Sequence, residues 1–587
     1  MGYRVFFALA VAVVAGTIGP GEARGAAGPA WIEESNRYAQ WLLDAQAVYA
    51  PENAANIGLE GHDGEVLDLK PRYAERQEAD LAAVITKLEG ARRSVTDDRV
   101  KQDLEILVQS ARQAQHTSEL NRRLMIPYFD LGRALFSGFQ DLLDARVAKK
   151  RQAAALVRLK RYAGNERGYE PIAMLARARI EERMGDASLT WPWVVEVQQH
   201  LDNSKRYIDG MRDLLQKSGL KGWQKDFTTL SRQLEEHAAW VRSTVLPRAR
   251  KTNQLPLEIY TDNLKNYGVD ADPKDVMQRA LFAYMQTREE MESVARAVAA
   301  ERHYKSTNYR DVLKELKKDR VPADKVLELY TSHLAKIEEI IRREHLITLP
   351  TRAAVIRLAT EAETAASPAP HLDPPRLIGN TGEPGEFVLP TKNPNAATNA
   401  AMDDFDFEAI SWGVTAHECR PGHELQFAGM MERGVSTARV VFAFNSANIE
   451  GWALYAEAIM KPYLPIEGQM GALQLRMLRA ARAYLDPMLN LGLIEPDAAQ
   501  RVLMNEVGLS EPFAKTEIDR YTFDAPGQAT SYFYGYSRLE ALRARTEIAL
   551  GAKFAPQPYH DFIINEGLLP LDLLEQAVLT RFVPAQR

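Results

Sequence analysis

The chain has 587 residues, 73 Lys+Arg against 79 Asp+Glu for a net charge of −6, 11 histidines and one cysteine, with 46% of residues hydrophobic. Charge of both signs at 26% of positions excludes a disordered or collagen-like chain, and the mild acidic balance excludes a nucleic-acid partner held by bulk charge. A single cysteine allows no internal disulfide, so the fold rests on hydrophobic cores, and the length suggests roughly three or four domain-sized units.

The first segment reads as an export signal. Met1–Arg4 carries one positive side chain, Val5–Gly19 is strongly apolar, and Ala23, Gly25 and Ala27 offer small residues for cleavage. The apolar run falls short of the roughly 20 residues of a spanning helix, and Gly19-Pro20-Gly21 breaks it. Residues 1–25 are therefore expected to be removed, leaving a chain in a bacterial periplasm or exterior with no stable membrane insertion. The sole cysteine, Cys419, is too far along the chain for a lipoprotein anchor.

Residues 26–345 form the first expected lobe. Glu78–Val95, Val100–Leu120, Gln152–Ala163, Val194–Leu215 and Lys274–Arg302 show apolar residues at i, i+3, i+4 and i+7 with charges between, and read as helices. Turn signals separate them at Gly61-His62-Asp63-Gly64, Leu189–Pro192, Leu255-Pro256 and Asp272-Pro273. The basic run Ala148-Lys149-Lys150-Arg151 is expected on a solvated helix face.

The texture changes near Leu346, where the second expected lobe, 346–587, begins. Ile347–Leu358 is rich in β-formers, Ser367–Gly385 is rich in Pro and Gly, and Glu386–Leu389 reads as a short strand ended by Pro390. Helical periodicity returns from Phe405. The expected fold is mainly α and two-lobed, with a small sheet edging a cleft and no solenoid repeat.

The chemistry concentrates in Ser411–Gln426, SWGVTAHECRPGHELQ. Zinc favours imidazole nitrogens, and a catalytic site uses three protein ligands with a fourth position left open. A glutamate directly after the first ligand, here Glu418 after His417, is placed to act as general base. His417 and His423 are six residues apart, which in an unbroken helix separates them by about 240° and roughly 9 Å, too far to share one ion. Pro421 disfavours continued helix and Gly422 admits unusual backbone angles, so Pro421-Gly422 is expected to loop out and bring His423 back beside His417. Downstream, Asn445–Glu457 (NSANIEGWALYAE) carries Glu450 and Glu457 two turns apart on one helical face. Glu450 suits a third ligand and Glu457 a supporting role.

HExxPGH followed by EGWALYAE resembles the bacterial domain-of-unknown-function 885 family. Members are usually regarded as zinc metallopeptidase-like and related to the gluzincins, which include thimet oligopeptidase and carboxypeptidase Taq. The resemblance covers nearly the whole mature chain: Pro51–Ala55 and Gly61–Gly64 look like its opening motifs, and Pro526–Ala529 with Tyr532 and Gly535, His560-Asp561 and Leu569–Leu571 like its closing ones. It implies a metallopeptidase-like fold, one Zn2+ held by His417, His423 and Glu450, and Glu418 as general base and acid. Three positions depart from the family pattern: Glu424 follows the second histidine, Asn490 stands where a histidine is usual, and Phe533 where a lysine is.

The expected function is an exported zinc peptidase acting on peptides or oligopeptides. The alternatives are a non-catalytic peptide-binding protein with a structural zinc, and a zinc hydrolase of another amide or ester. Tyr532 is the first choice for stabilising the oxyanion, with Tyr536 one turn further on the same face and Tyr534 pointing elsewhere. Arg482, Arg520 and Arg538 are candidates for holding a free peptide terminus. The strand Glu386–Leu389 is expected to pair with an extended peptide. Cys419 and Trp452 read as packing, and His560 as a tie for the C-terminal helix.

Overall fold

In a computed structural model, residues 29–587 are described apart from 145–146, 323, 360–363, 365–366, 368, 381 and 391–402; the expected export signal, residues 1–25, lies outside the described residues. Amphipathic patterning becomes helix along most of the chain, so the architecture is mainly α. The chain divides into two compact units. Among the described residues, the first takes those of Met1–Ile259, Arg376–Thr381 and Ser436–Phe442, and the second those of Tyr260–Pro375, Gly382–Val435 and Ala443–Arg587.

The principal helices of the first unit are α1 (Ala30–Ala47), α2 (Tyr73–Arg92), α3 (Asp98–Leu124), α4 (Leu131–Leu143), α5 (Val194–Lys217) and α6 (Gln224–Trp240). Asp97 caps α3 by accepting from the Arg99 amide, satisfying a donor that the first helical turn leaves free. Leu42, Leu81, Leu88, Leu104 and Leu107 fill one core between α1, α2 and α3. Leu135, Phe139, Leu159, Tyr162 and Met211 fill another. Buried charged groups in this unit are paired or hydrogen-bonded, as in the cluster around Asp103 and in Arg158, which donates to the Gly138 carbonyl at 2.7 Å. Asp103 accepts from Ser35 Oγ at 2.6 Å, Ser436 Oγ at 2.5 Å and Arg439 Nε at 2.8 Å, which ties the late segment Ser436–Phe442 into the unit.

The opening motifs are structural parts of the same unit. Glu52 accepts from Tyr162 Oη at 2.6 Å and from the Leu67 amide at 2.8 Å. Asp63 takes a two-pronged contact from Arg151, both bonds 2.8 Å. That contact corrects the reading of the basic run: Lys149 and Lys150 are exposed, but Arg151 is buried. A local charge run cannot show that one member has a carboxylate waiting 88 residues upstream.

In the second unit the principal elements are α7 (Pro273–Arg302), α8 (Val326–Arg343), β1 (Val355–Leu358), β2 (His371–Asp373), β3 (Glu386–Leu389), α9 (Glu408–Glu418), α10 (His423–Arg433), α11 (Ser446–Met460), α12 (Ile466–Asn490), α13 (Glu511–Asp519), α14 (Thr530–Leu550) and α15 (Pro556–Asn565). Asp272 caps α7 with Pro273 in its first position, as the Asp-Pro turn signal implied. α11 is buried on all sides, so it runs through the core rather than along its surface. Its start is fixed by Asn445, whose Oδ1 accepts from the Asn448 amide at 2.8 Å and whose Nδ2 donates to the Ala443 carbonyl at 2.8 Å.

The small sheet has the order β1-β3-β2. β1 runs parallel to β3 with Val355 opposite Glu386, and β2 antiparallel with Leu372 opposite Phe387. Tyr330 of α8 meets Phe387 of β3 edge-on, ring centres 5.5 Å apart. β3 is therefore the central strand, flanked on both sides, and the expectation that it pairs with an extended peptide is overturned. β2 lies inside the Pro/Gly-rich stretch, whose composition hid it.

Candidate metal centre

α9 ends at Glu418 and α10 begins at His423, so the helix breaks between the two histidines. The Arg420–Pro421 peptide is cis. Trp452 of α11 donates its Nε1–H to the Pro421 carbonyl at 3.0 Å. The Arg420 guanidinium is buried and donates to Glu424 at 2.7 Å, to Glu338 at 2.5 Å and to the Arg352 carbonyl at 2.8 Å. Glu424, one of the departures from the family pattern, is thus the partner that fixes the turn.

Gly422 has φ −74° and ψ −134°, a combination outside the main α and β regions. Space excludes a side chain as well: a Cβ there would lie 1.9 Å from the His417 carbonyl oxygen and 2.4 Å from that of Ala416.

The break brings His423 back beside His417, with ring centres 4.8 Å apart and planes at 83°. Glu450 Oε2 lies 3.6 Å from His417 Nε2 and 3.4 Å from His423 Nε2. One ligand atom from each of the three residues falls within 4.8 Å of the others, and all three residues are buried. Bonds of about 2.1 Å in a tetrahedral site set ligand atoms about 3.4 Å apart; both Glu450 separations are close to that, so the group could hold a metal ion. The electrostatics agree. Burial favours a neutral His417, yet Glu450, Glu457 and Glu418 outweigh it and raise its pKa to about 9. The field that holds a proton on this ring also favours a metal cation. Burial acts to raise the Glu450 pKa, but the two histidines hold it well below the usual range.

Glu457, two turns from Glu450, approaches the other ring nitrogen: His417 Nδ1 and Glu457 Oε1 are 2.7 Å apart. Arg479 stands 3.3 Å from the same carboxylate. Such outer partners fix the tautomer and aim of a ligating imidazole. For a metal ion held by this group, Glu457→Gln is therefore expected to weaken binding by about 10- to 100-fold while leaving the fold intact. Competition with a metal chelator measures this, and unchanged affinity would show that Glu457 does not orient His417.

Glu418 is held by the sheet. The Leu372 amide of β2 donates to its Oε2 at 3.0 Å, while its Oε1 lies 3.8 Å from His417 Nε2. Tyr532 is placed by a close helix crossing: a Cβ on Gly535 of α14 would lie 1.8 Å from the Ala447 carbonyl oxygen of α11. The Tyr532 ring stands 6.4 Å from that of His417, nearly parallel at 9°. Burial raises its pKa, with Arg520 opposing and Glu450 adding, so the phenol keeps its proton. Tyr534 instead takes a hydrogen bond from Arg538 at 2.9 Å, and Tyr536 lies by Arg476.

Other sequence readings find their places. His560 Nδ1 meets the Leu346 carbonyl at 2.7 Å and its Nε2 meets Tyr455 Oη at 2.8 Å, tying α15 down. Cys419 is buried, which pushes its thiol pKa well up. Asp486 takes two contacts from the Gly527 amide at 2.9 and 3.0 Å, and one from Asn490 Nδ2 at 3.1 Å. Sequence reasoning missed Arg479, Glu517 and the Leu372 amide; none has a fixed spacing to the histidines.

Fold and site together define a mainly helical protein with a buried His-His-Glu group able to hold one metal ion, a carboxylate beside it and a protonated tyrosine near it. The chain belongs to the family described as bacterial protein of unknown function, DUF885, which matches residues 51–578. It shares its fold with a candidate lipoprotein from Colwellia psychrerythraea, at 17% identity and a TM-score of 0.74 over 94% of this chain and 100% of that one. A candidate lipoprotein of unknown function from Shewanella oneidensis is similar at 16% identity and a TM-score of 0.72, over 92% and 99% of the two chains. No curated protein matches the chain.

Proposed function

We propose that this chain is an exported zinc peptidase that hydrolyses peptide bonds, with His417, His423 and Glu450 as metal ligands and Glu418 as general base. The observation that carries the reading is the placement of Glu418: its carboxylate is fixed by the Leu372 amide at 3.0 Å beside a three-ligand group. A structural metal needs no general base beside it. A zinc ion held there supplies Lewis acidity, making a water nucleophilic near neutral pH and polarising a carbonyl.

The chain's own residues do the rest. Glu418 accepts the proton the attacking water loses, then passes it to the leaving amine. Tyr532, kept protonated by burial, donates to the negative charge that develops on the carbonyl oxygen. Glu457 holds His417 in its ligating tautomer.

Export is supported by the charged, apolar and small-residue pattern of residues 1–25. The two solved neighbours are described as candidate lipoproteins, which also supports export. Here, however, the one cysteine is buried within the metal motif. Among the described residues no helix is long and apolar enough to cross a membrane.

Digestion of a peptide library, read by mass spectrometry with and without a chelator, tests the reading. Chelator-sensitive cleavage at defined bonds is expected. A zinc-loaded protein that cleaves no peptide would overturn it in favour of a binding protein or a hydrolase of another amide or ester.

A further inference from the structure

A second charged group surrounds Tyr532. Arg482 of α12 and Glu517 of α13 form a two-pronged buried pair, both bonds 2.7 Å. Tyr521 Oη adds a bond to Glu517 at 2.5 Å. Burial acts to raise the Glu517 pKa, but Arg482 and Arg520 hold it at about 2, so its charge is present throughout the working range. That single negative charge is already committed to Arg482.

Arg520 is differently placed. Its Nη1 reaches Glu517 only at 3.4 Å. Its Nη2 donates to Tyr532 Oη at 2.9 Å and to the Gln528 side-chain carbonyl, both neutral. Its guanidinium carbon lies 5.2 Å from the Tyr532 ring centre, and that of Arg482 lies 4.6 Å from it. Two arginines thus share the Glu517 carboxylate, and Asp486, the other buried carboxylate that feels Arg520, takes its hydrogen bonds from the Gly527 amide, Tyr260 and Asn490. Among the described residues this leaves Arg520 with no close ion pair of its own beside the tyrosine that faces the metal group. Exposure also singles it out: the Arg520 side chain is 21% exposed, against 8% for Arg482 and 2% for Glu517. Of the other arginines nearby, Arg538 pairs with Asp572 and Glu575 and Arg479 with Glu457, while Arg476 shares Glu290 with Lys461.

A partly buried guanidinium without its own carboxylate is the usual seat for a carboxylate brought by a ligand, because the planar fork matches it and desolvation strengthens the contact. Resting on the peptidase reading above, we infer that Arg520 is a substrate-binding residue whose guanidinium pairs with a carboxylate of the peptide on the Tyr532 side of the metal group. The carboxylate comes either from the free C-terminus or from an acidic side chain. Arg482 and Glu517 hold Arg520 and Tyr532 in register and do not touch the peptide. Arg520 also links recognition to chemistry, since the same guanidinium that meets the carboxylate fixes the Tyr532 oxygen.

The test uses zinc-loaded protein carrying Glu418→Gln, so that binding is read by calorimetry without turnover. Four acetylated peptides of one length are compared: C-terminal acid or carboxamide, each with Glu or Gln at one internal position. A carboxylate-bearing peptide is expected to bind about tenfold or more tighter than the fully neutral one. Preference that follows the terminus assigns an exopeptidase-like subsite, and preference that follows the internal Glu assigns an acidic side-chain subsite. Arg520→Gln added to this protein should erase the preference, and Arg520→Lys, which keeps the charge and lacks the fork, should retain part of it. Equal binding of all four peptides overturns the inference without any variant having to fold, as does a preference that survives Arg520→Gln. If the preference is found but the protein with Glu418 intact cleaves nothing, the peptidase reading falls and the carboxylate subsite stands.

Discussion

Glu418→Gln is expected to lower kcat by about a thousandfold while leaving the zinc content of the protein unchanged. Glu418 is outside the group of three ligand atoms, so removing its charge subtracts no ligand. Its Oε2 accepts from the Leu372 amide at 3.0 Å, a contact the Gln carbonyl can keep, so the side chain stays in place and only its capacity to accept a proton is lost. Metal analysis and steady-state kinetics on one peptide, run together, check both halves. Full activity with full zinc would refute the base assignment. Loss of zinc together with activity would instead make Glu418 a ligand, and the reading of a three-residue site with an adjacent base would fall.

The features legible in the sequence were those with a short repeat or a fixed spacing. The segments read at Glu78–Val95, Val194–Leu215 and Lys274–Arg302 became α2, α5 and α7, because each carries its apolar face within its own pattern. The helix break at Pro421-Gly422 was legible because an unbroken helix cannot bring His417 and His423 together. The seven-residue step from Glu450 to Glu457 placed both on one face, and in the structure they approach the two nitrogens of the same ring. What escaped were contacts between distant segments. Leu372 and Glu418 are 46 residues apart, and Arg482 and Glu517 are 35 apart. Periodicity says which face of α12 or α13 is buried, not which charge it meets. β2 escaped for a local reason: three residues between prolines show no alternation, and only pairing with β3 makes them a strand. The assignment of β3 to an incoming peptide failed in the same way, because its neighbours are set by topology.

Gly422→Ala is expected to cost about 3 kcal/mol or more of stability and to weaken zinc binding by at least about a hundredfold, since it moves a ligand rather than an outer partner. The added Cβ would meet the His417 and Ala416 carbonyl oxygens at 1.9 and 2.4 Å. Neither is the end of a flexible side chain; both belong to the last turn of α9. Relief requires the turn to shift away from α9, yet it is pinned by Trp452 on Pro421 and by the buried Arg420 contacts. The displacement therefore passes to the start of α10, which is His423. Thermal melts with and without zinc separate the two effects. The wild-type protein should gain stability as zinc saturates it, by about 4 kcal/mol at a thousandfold excess over Kd. Gly422→Ala should melt lower and lose most of that gain. Gly90→Ala in α2, where a Cβ meets nothing within 4 Å, should hold its zinc response and match or exceed the wild-type stability, by about 0.5 to 1 kcal/mol. A Gly422→Ala protein with the full zinc-dependent rise would mean that the two histidines do not depend on the tight turn between α9 and α10 to share an ion.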